Sequence, residues 1–162
     1  MKRLSILVGA LLLLAAPAQA LLIKMSVDDM AQRAEHIVHG QVVSLESTWN
    51  AENTTILTQV IVRVDEGWKG TLLKNATVTL TVAGGVVNDI GIMSEHAPQF
   101  FLDEMVVLFL DTDERGQLRV AQDEQGKFTV AESFALNQLN HPVELDEFKA
   151  EIFAAIPGEV QR

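Results

Sequence analysis

The spacing of apolar and polar positions predicts a short helix at the start of the mature chain. Residues 26–36, SVDDMAQRAEH, place apolar side chains on one helical face. Ser26 is a favourable N-cap, and two aspartates follow it in the first turn, where the helix dipole favours negative charge. His36 is expected in the last turn of this helix.

The period then changes to the alternation that is typical of strands. The predicted strands are residues 37–47, 55–66, 76–82, 86–93 and 104–111. GWKG at 67–70 is expected to end the second strand, and Gly84-Gly85 the third. The segment 104–111 is apolar on both faces, which predicts a central strand.

The last third of the chain predicts a hairpin followed by a helix. LRVAQ and KFTVA are interpreted as two strands joined by DEQG. From about Glu144 the period is helical, with one apolar stripe of Leu145, Phe148, Ile152 and Ile156. Taken together, these helices and strands predict a mainly β protein with flanking helices. We expect a small OB-like antiparallel β-barrel, a short N-terminal helix and a C-terminal amphipathic helix.

The first residues have the three-part pattern of a secretory signal peptide. Lys2 and Arg3 precede an apolar run, and Ala18-Gln19-Ala20 supplies small residues for cleavage after Ala20. The run is shorter than the roughly 20 apolar residues that a membrane span needs. The prediction is therefore a signal peptide at 1–20 and one OB-like domain at 21–162, exported to the periplasm or secreted, without membrane association after cleavage.

Composition narrows the classes of partner. The chain has no cysteine, so an exported fold must form without disulfides. Its formal net charge is −10, and no basic cluster offsets this. Because such a charge repels phosphate backbones, nucleic-acid binding is not expected. We therefore expect the partner to be a protein or a small molecule, and no cofactor is predicted.

The histidines raise the question of a metal site. His36 and His39 lie three positions apart, a spacing that would put both on one face of a helix but on opposite faces of a strand. A zinc site would need a further ligand, and His96 and His141 fall in predicted loops. Because the helix is expected to end near His36, the two side chains should diverge. We predict no metal ligand and no catalytic residue, since no nucleophile motif is present.

The segment 93–110, MSEHAPQFFLDEMVVLFL, is the most distinctive part of the sequence. One interpretation is a connection whose Phe100 and Phe101 plug one end of the barrel. The other is a ligand-facing loop, in which Ser94, His96, Pro98 and Phe100 would contact the ligand, since loops on rigid scaffolds often carry function.

The order of these segments resembles that of a known group. MAQRAEHIVHGQVVSLES, TQVIVRVDEGWKG, ATVTLTVAGG and SEHAPQFFLDEMVVLFL are similar to segments of exported bacterial proteins of unassigned function. The core also resembles the netrin-like, OB-type domain of tissue inhibitors of metalloproteinases, over roughly residues 26–131. The resemblance implies a fold. It does not imply protease inhibition, because the cysteine with which those inhibitors grip zinc is missing.

Three functions remain open. The first is an exported, non-catalytic binding or accessory module that uses the barrel face or the 84–100 loop. The second is a metal-dependent or hydrolytic enzyme that uses His36, His39 and His96. The third is a structural protein of the cell envelope, or an accessory to a partner protease.

Overall fold

The computed structural model describes residues 24–137, 139–156 and 158. The predicted signal peptide and its cleavage site at Ala20 lie outside these residues. Helix α1 spans Val27–Arg33 and helix α2 spans Leu145–Ala155. The strands in this part of the chain are β1 (His36–Trp49), β2 (Ile56–Lys69), β3 (Thr77–Val87), β4 (Ile90–Met93), β5 (Met105–Thr112), β6 (Leu118–Val120), β7 (Lys127–Ala131), β8 (Phe134–Asn137) and β9 (Asn140–Glu144). None of the described helices is long and apolar enough to cross a membrane.

The strands form one antiparallel sheet in the order β4-β3-β2-β1-β5-β7-β8-β9, with β6 also paired to β5. The sheet curls into a half-barrel, so that β3 comes to lie beside β6. The predicted class, mainly β with a short N-terminal and a C-terminal helix, is confirmed.

Helix α1 begins as its sequence predicts but ends earlier. Ser26 Oγ accepts a hydrogen bond from Asp29 N at 3.1 Å, which caps the first turn. The helix ends at Arg33, and His36 is the first residue of β1, paired with Leu110. The placement of His36 in the last helical turn is therefore wrong. Sheet pairing overrides the helical pattern here, since each backbone group gains a ladder partner.

Two predicted strand ends are also wrong. Strand β2 continues through Trp68 to Lys69, because Gly67 and Lys69 still pair with the start of β1. Strand β3 continues through Gly84 and Gly85 to Val87, and it forms a hairpin with β4. The glycines bend this strand instead of ending it.

The predicted hairpin of LRVAQ and KFTVA is absent from the described sheet. Strands β6 and β7 both pair with β5, at successive stretches of the same edge. DEQG between them is a 3₁₀ helix, Asp123–Gly126. The hairpins that do follow, β7 with β8 and β8 with β9, were not predicted.

Strand β5 separates two hydrophobic clusters. The inner cluster fills the curled sheet and consists of Val38, Val42, Val60, Val62, Val64, Val78, Leu80, Val106, Leu108, Leu110 and Val120. The outer cluster lies between the sheet and the two helices and consists of Met30, Ala31, Ala34, Ile37, Trp68, Val107, Phe109, Ala121, Phe128, Ala135, Phe148, Ile152 and Ile156. Successive side chains of β5 alternate between the two clusters, which confirms the prediction of a central strand.

Candidate functional site

An apolar groove opens at the mouth of the curled sheet. It has a volume of about 490 Å³ and is lined by residues 82–86, 91–94 and 97–101, together with Thr58. Val82 and Phe100 also pack against the inner cluster, so the groove continues the interior of the half-barrel to the surface. This volume lies within the range of roughly 300–1,000 Å³ that ligand pockets occupy.

The position of one groove wall, the β3–β4 hairpin, is fixed by a buried threonine and two glycines. Thr58 Oγ1 donates a hydrogen bond to Gly84 O at 2.6 Å and lies 2.8 Å from Ser47 Oγ. Gly84 and Gly85 have φ values of +102° and +138°, which L side chains rarely adopt. A Cβ on Gly85 would lie 2.2 Å from Thr58 Oγ1. The hairpin can therefore pack closely on β1 and β2 only with glycine at this position.

The rim of the groove exposes large apolar side chains. Met93 is 82% exposed, and Val86 and Phe101 are each 64% exposed. All three also line the groove. A continuous apolar surface of this kind is characteristic of a binding site, whereas single exposed apolar residues are ordinary.

A second cavity, which we call the polar pocket, lies against the same segment. It has a volume of about 400 Å³, and Glu104, Lys127 and Thr129 are among its lining residues. Residues 93–94, 97–99 and 101 line both cavities. The segment 93–101 is therefore a shared wall between an apolar and a polar space.

A buried ion pair anchors this wall. The side chains of Glu104 and Lys127 are 8% and 11% exposed, and Lys127 Nζ lies 2.5 Å from Glu104 Oε1. Glu104 Oε1 also accepts from Thr129 Oγ1, and its Oε2 accepts from Phe101 N at 3.1 Å. Lys127 Nζ lies 5.3 Å from the centroid of the Phe100 ring. Both carboxylate oxygens of Glu104 accept hydrogen bonds, one from Thr129 on β7 and one from the backbone of Phe101 in the wall. These bonds fix the position of the wall relative to the sheet.

His96 provides a second connection of the wall to the rest of the fold. Its backbone has a φ of +64°, and its Nδ1 lies 3.2 Å from Glu124 Oε1. Glu124 N in turn donates to His96 O at 3.0 Å. The reciprocal pair joins the segment to the 3₁₀ helix after β6.

The structure brings together the four residues predicted to face a ligand. Ser94 and Pro98 line both cavities, His96 lines the polar pocket, and Phe100 lines the apolar groove. Their role in ligand binding stays a prediction. Phe100 packs against the inner cluster, as the plug interpretation expected, but Phe101 is largely exposed, so that part of the interpretation is wrong.

His36 and His39 do not form a site with each other. Both lie in β1, three residues apart, so they point to opposite faces of the strand. Thr71 N donates to His36 Nδ1 at 3.3 Å. Among the described residues, no group of three or more His, Cys, Asp or Glu side chains is placed to hold a metal ion.

The side chain of His39 is 12% exposed, but both of its ring nitrogens are buried. Neither ring nitrogen has a hydrogen-bond partner, and the nearest carboxylate oxygen, Glu66 Oε1, lies 4.0 Å from Nδ1. The ring centroid lies 5.9 Å from that of Trp68. Burial lowers the pKa of His39, against the opposing effect of the Glu66 carboxylate. The hydrogen bond from Lys149 on α2 lowers the pKa of Glu66.

No family model matches the chain, and no curated protein is significantly similar to it. The resemblance to netrin-like domains therefore stays a prediction from the sequence.

Sequence reasoning missed the residues that anchor the shared wall. Glu104 was assigned only to the start of a strand, and Lys127 and Thr129 to a hairpin. Glu104 and Lys127 are charged residues at the boundary of apolar strands, which gives a weak signal of partners. Their partnership depends on the pairing of β5 with β7, in which Val106 faces Thr129 and Leu108 faces Lys127, and this pairing was not predicted.

Proposed function

We propose that this protein is an exported, non-catalytic binding module that holds an apolar group of its ligand in the apolar groove. The observation that carries this proposal is the exposed apolar rim of Val86, Met93 and Phe101 around a groove of about 490 Å³. Leaving these side chains in water forgoes about 25 cal/mol for each Å² of apolar surface. A ligand that covers them regains this free energy.

The geometry around the groove supports binding. Thr58, Gly84 and Gly85 hold one wall, and Glu104 with Lys127 holds the other. A groove with fixed walls needs little ordering when the ligand enters, which favours affinity. The side chains of Thr58, Glu104 and Lys127 are occupied by structural hydrogen bonds, so they serve to shape the site.

A neutral dye tests the proposal. Nile red fluoresces in apolar surroundings and carries no charge, so the acidic surface does not repel it. We expect it to bind the folded wild type, and we expect Met93→Asp, which places a charge on the rim, to weaken binding at least about tenfold, as loss of an apolar contact of this size would.

A matched control uses an exposed apolar residue elsewhere. Leu73 is 59% exposed in the loop between β2 and β3 and does not line the groove. Leu73→Asp should leave dye binding unchanged. Equal effects of the two substitutions, or no binding to the folded protein, would overturn the proposal.

Export is tested separately. Expression of residues 1–162 in a bacterial host, followed by intact-mass measurement of the periplasmic fraction, should give a chain that begins at Leu21. Retention of the uncleaved chain in the cytoplasm would contradict this part of the proposal.

A further inference from the structure

We infer that the ligand of the apolar groove is an extended, basic polypeptide segment that adds as a strand to β4. This inference rests on the proposed function and names the chemical class of its ligand. It depends on the position of β4 in the sheet, on the charge of the residues around the groove, and on the side chains beside the strand.

Strand β4 is the end of the sheet. In the described residues it pairs only with β3, over Gly84–Val87 and Ile90–Met93. The backbone groups on its other side have no strand partner, and an extended peptide could hydrogen-bond to them as the next strand. Helices do not cover this edge, because both helices pack on the outer cluster.

The same strand forms part of the groove. Gly91, Ile92 and Met93 line it, and Ile90 at the start of β4 is exposed. In a strand added to β4, alternate side chains point to one face of the sheet. Apolar residues at every second position of the peptide would therefore reach the groove and cover its rim.

The charge around the groove favours a basic peptide. Residues 82–104 contain Asp89, Glu95, Asp103 and Glu104 but no lysine or arginine. Glu104 is neutralised by Lys127. Among the described residues, Asp89 and Asp103 have no ion pair with a lysine or arginine, and Glu95 Oε1 lies 3.8 Å from His96 Nε2. Asp89 immediately precedes β4 and Glu95 is the second residue after it, so both lie near the ends of the position that an added strand would occupy.

The same charges argue against a second copy of this chain as the occupant. Two copies joined edge to edge would bring two identical acidic hairpins together, and each chain carries a net charge of −10. Like charges at an interface oppose association, whereas lysine or arginine in the partner gains from it.

The experiment uses a displayed library of random short peptides, selected on the folded wild-type protein. We expect enrichment of peptides that combine lysine or arginine with apolar residues at alternate positions. The most enriched peptide is then synthesised, and its affinity is measured by fluorescence anisotropy at low and high salt.

Two changes test how that peptide binds. N-methylation of alternate backbone amides leaves every side chain in place but removes main-chain donors, so it should weaken binding about tenfold. The double substitution Asp89→Asn and Glu95→Gln should weaken binding severalfold and reduce its dependence on salt. Glu147→Gln with Glu151→Gln, on helix α2, is the matched control and should leave the affinity unchanged.

Several outcomes would overturn the inference. These are the absence of any enriched peptide, enrichment of acidic sequences, or an affinity that N-methylation does not change. If Nile red binds the groove while no peptide is enriched, the inference fails and the proposed function stands. If neither binds, the proposed function fails as well.

Discussion

The outer cluster and the apolar groove are built from the same kinds of side chain, but only the first is covered. In the outer cluster, Phe148 of α2 packs against Phe109 and Phe128 of the sheet, with tilted or edge-on rings whose centroids lie 4.6–6.3 Å apart. At the groove, Met93 and Phe101 face solvent. Two helices thus cover the apolar face of the outer cluster. Among the described residues, no helix or strand covers the groove.

This difference separates residues that maintain the fold from residues that are available to a partner. An aromatic side chain in the outer cluster contributes to stability through dense packing. An exposed one at the groove contributes little to stability, so its presence there is better explained by binding. This comparison can be tested by measuring how far the free energy of unfolding falls when a side chain is removed from each region.

The largest expected difference is between two phenylalanines. Phe128→Ala should lower the free energy of unfolding by about 3–5 kcal/mol, because it empties part of the outer cluster. Phe101→Ala should change it by no more than about 0.5 kcal/mol, as is usual for exposed positions. Urea unfolding followed by tryptophan fluorescence measures both. Similar losses would mean that the groove is part of the structural core.

The second test concerns the wall of the groove. Glu104→Gln removes the charge that pairs with buried Lys127, so we expect a loss of about 1–3 kcal/mol in the free energy of unfolding. It should also weaken Nile red binding, since the wall carries Phe100 and Phe101. Glu114→Gln, in the exposed turn after β5, should change neither quantity. Unchanged dye binding in Glu104→Gln would show that the ion pair does not position the wall.

The third test measures how stability depends on pH through His39, which lies beside Trp68 of the outer cluster. Burial lowers the pKa of His39 in the fold below the ordinary value of a histidine side chain, so the unfolded state binds the proton more strongly. Its contribution to stability is complete above the unfolded pKa and is lost as pH falls below it. The charged groups that face it are Asp65 and Glu66 on β2 and Lys149 on α2.

We therefore expect the melting temperature of the wild type to fall between about pH 7.5 and about pH 5.5, across the range in which an unperturbed histidine titrates. His39→Phe keeps the ring beside Trp68 but cannot accept a proton, so its melting temperature should depend less on pH over this range. Parallel curves for the two proteins would contradict the assignment.

The smallest expected effect lies on the solvent side of the covering helix. Burial raises the pKa of Glu151, and Asp28 and Glu147 raise it further. The fold favours its neutral form more than the unfolded chain does, so the stability from this residue is present below the unfolded pKa and is lost as pH rises through the folded pKa. At neutral pH, Glu151→Gln should stabilise the fold by about 0.2–0.5 kcal/mol, the size of a like-charge pair four residues apart. Thermal melts at neutral pH check this, and a decrease in stability would contradict it.

The sequence predicted those parts of the fold that depend on local pattern. The alternation along residues 55–66 predicts one shared face for Ile56, Thr58, Val60, Val62 and Val64, and all five are buried. Phe148 and Ile152 were expected on the buried stripe of the last helix, and they are. Periodicity alone was sufficient here because one face of each element is covered and the other is not.

The pairing of distant strands was not predictable in the same way. Gly84 and Gly85 have the composition of a turn, yet they bend β3 because Thr58, from another strand, holds them. The two strands around DEQG have the pattern of a hairpin, yet each finds a better partner in β5. The same is true of the candidate site. The sequence predicts its loop residues, whereas the ion pair that anchors them depends on the long-range pairing of β5 with β7.

The outer cluster also has a consequence for the order of folding. It includes Met30 and Ala31 from α1 and Phe148 and Ile152 from α2, and Met25 N donates to Gln125 Oε1 at 2.9 Å. These elements enter the chain early and late in synthesis, so the cluster cannot close until α2 has been made. The pairing of β1, β2 and β3 needs only residues up to Val87 and can begin first. Closure of the outer cluster is then the late event, and substitutions there should mainly speed unfolding and change the folding rate little.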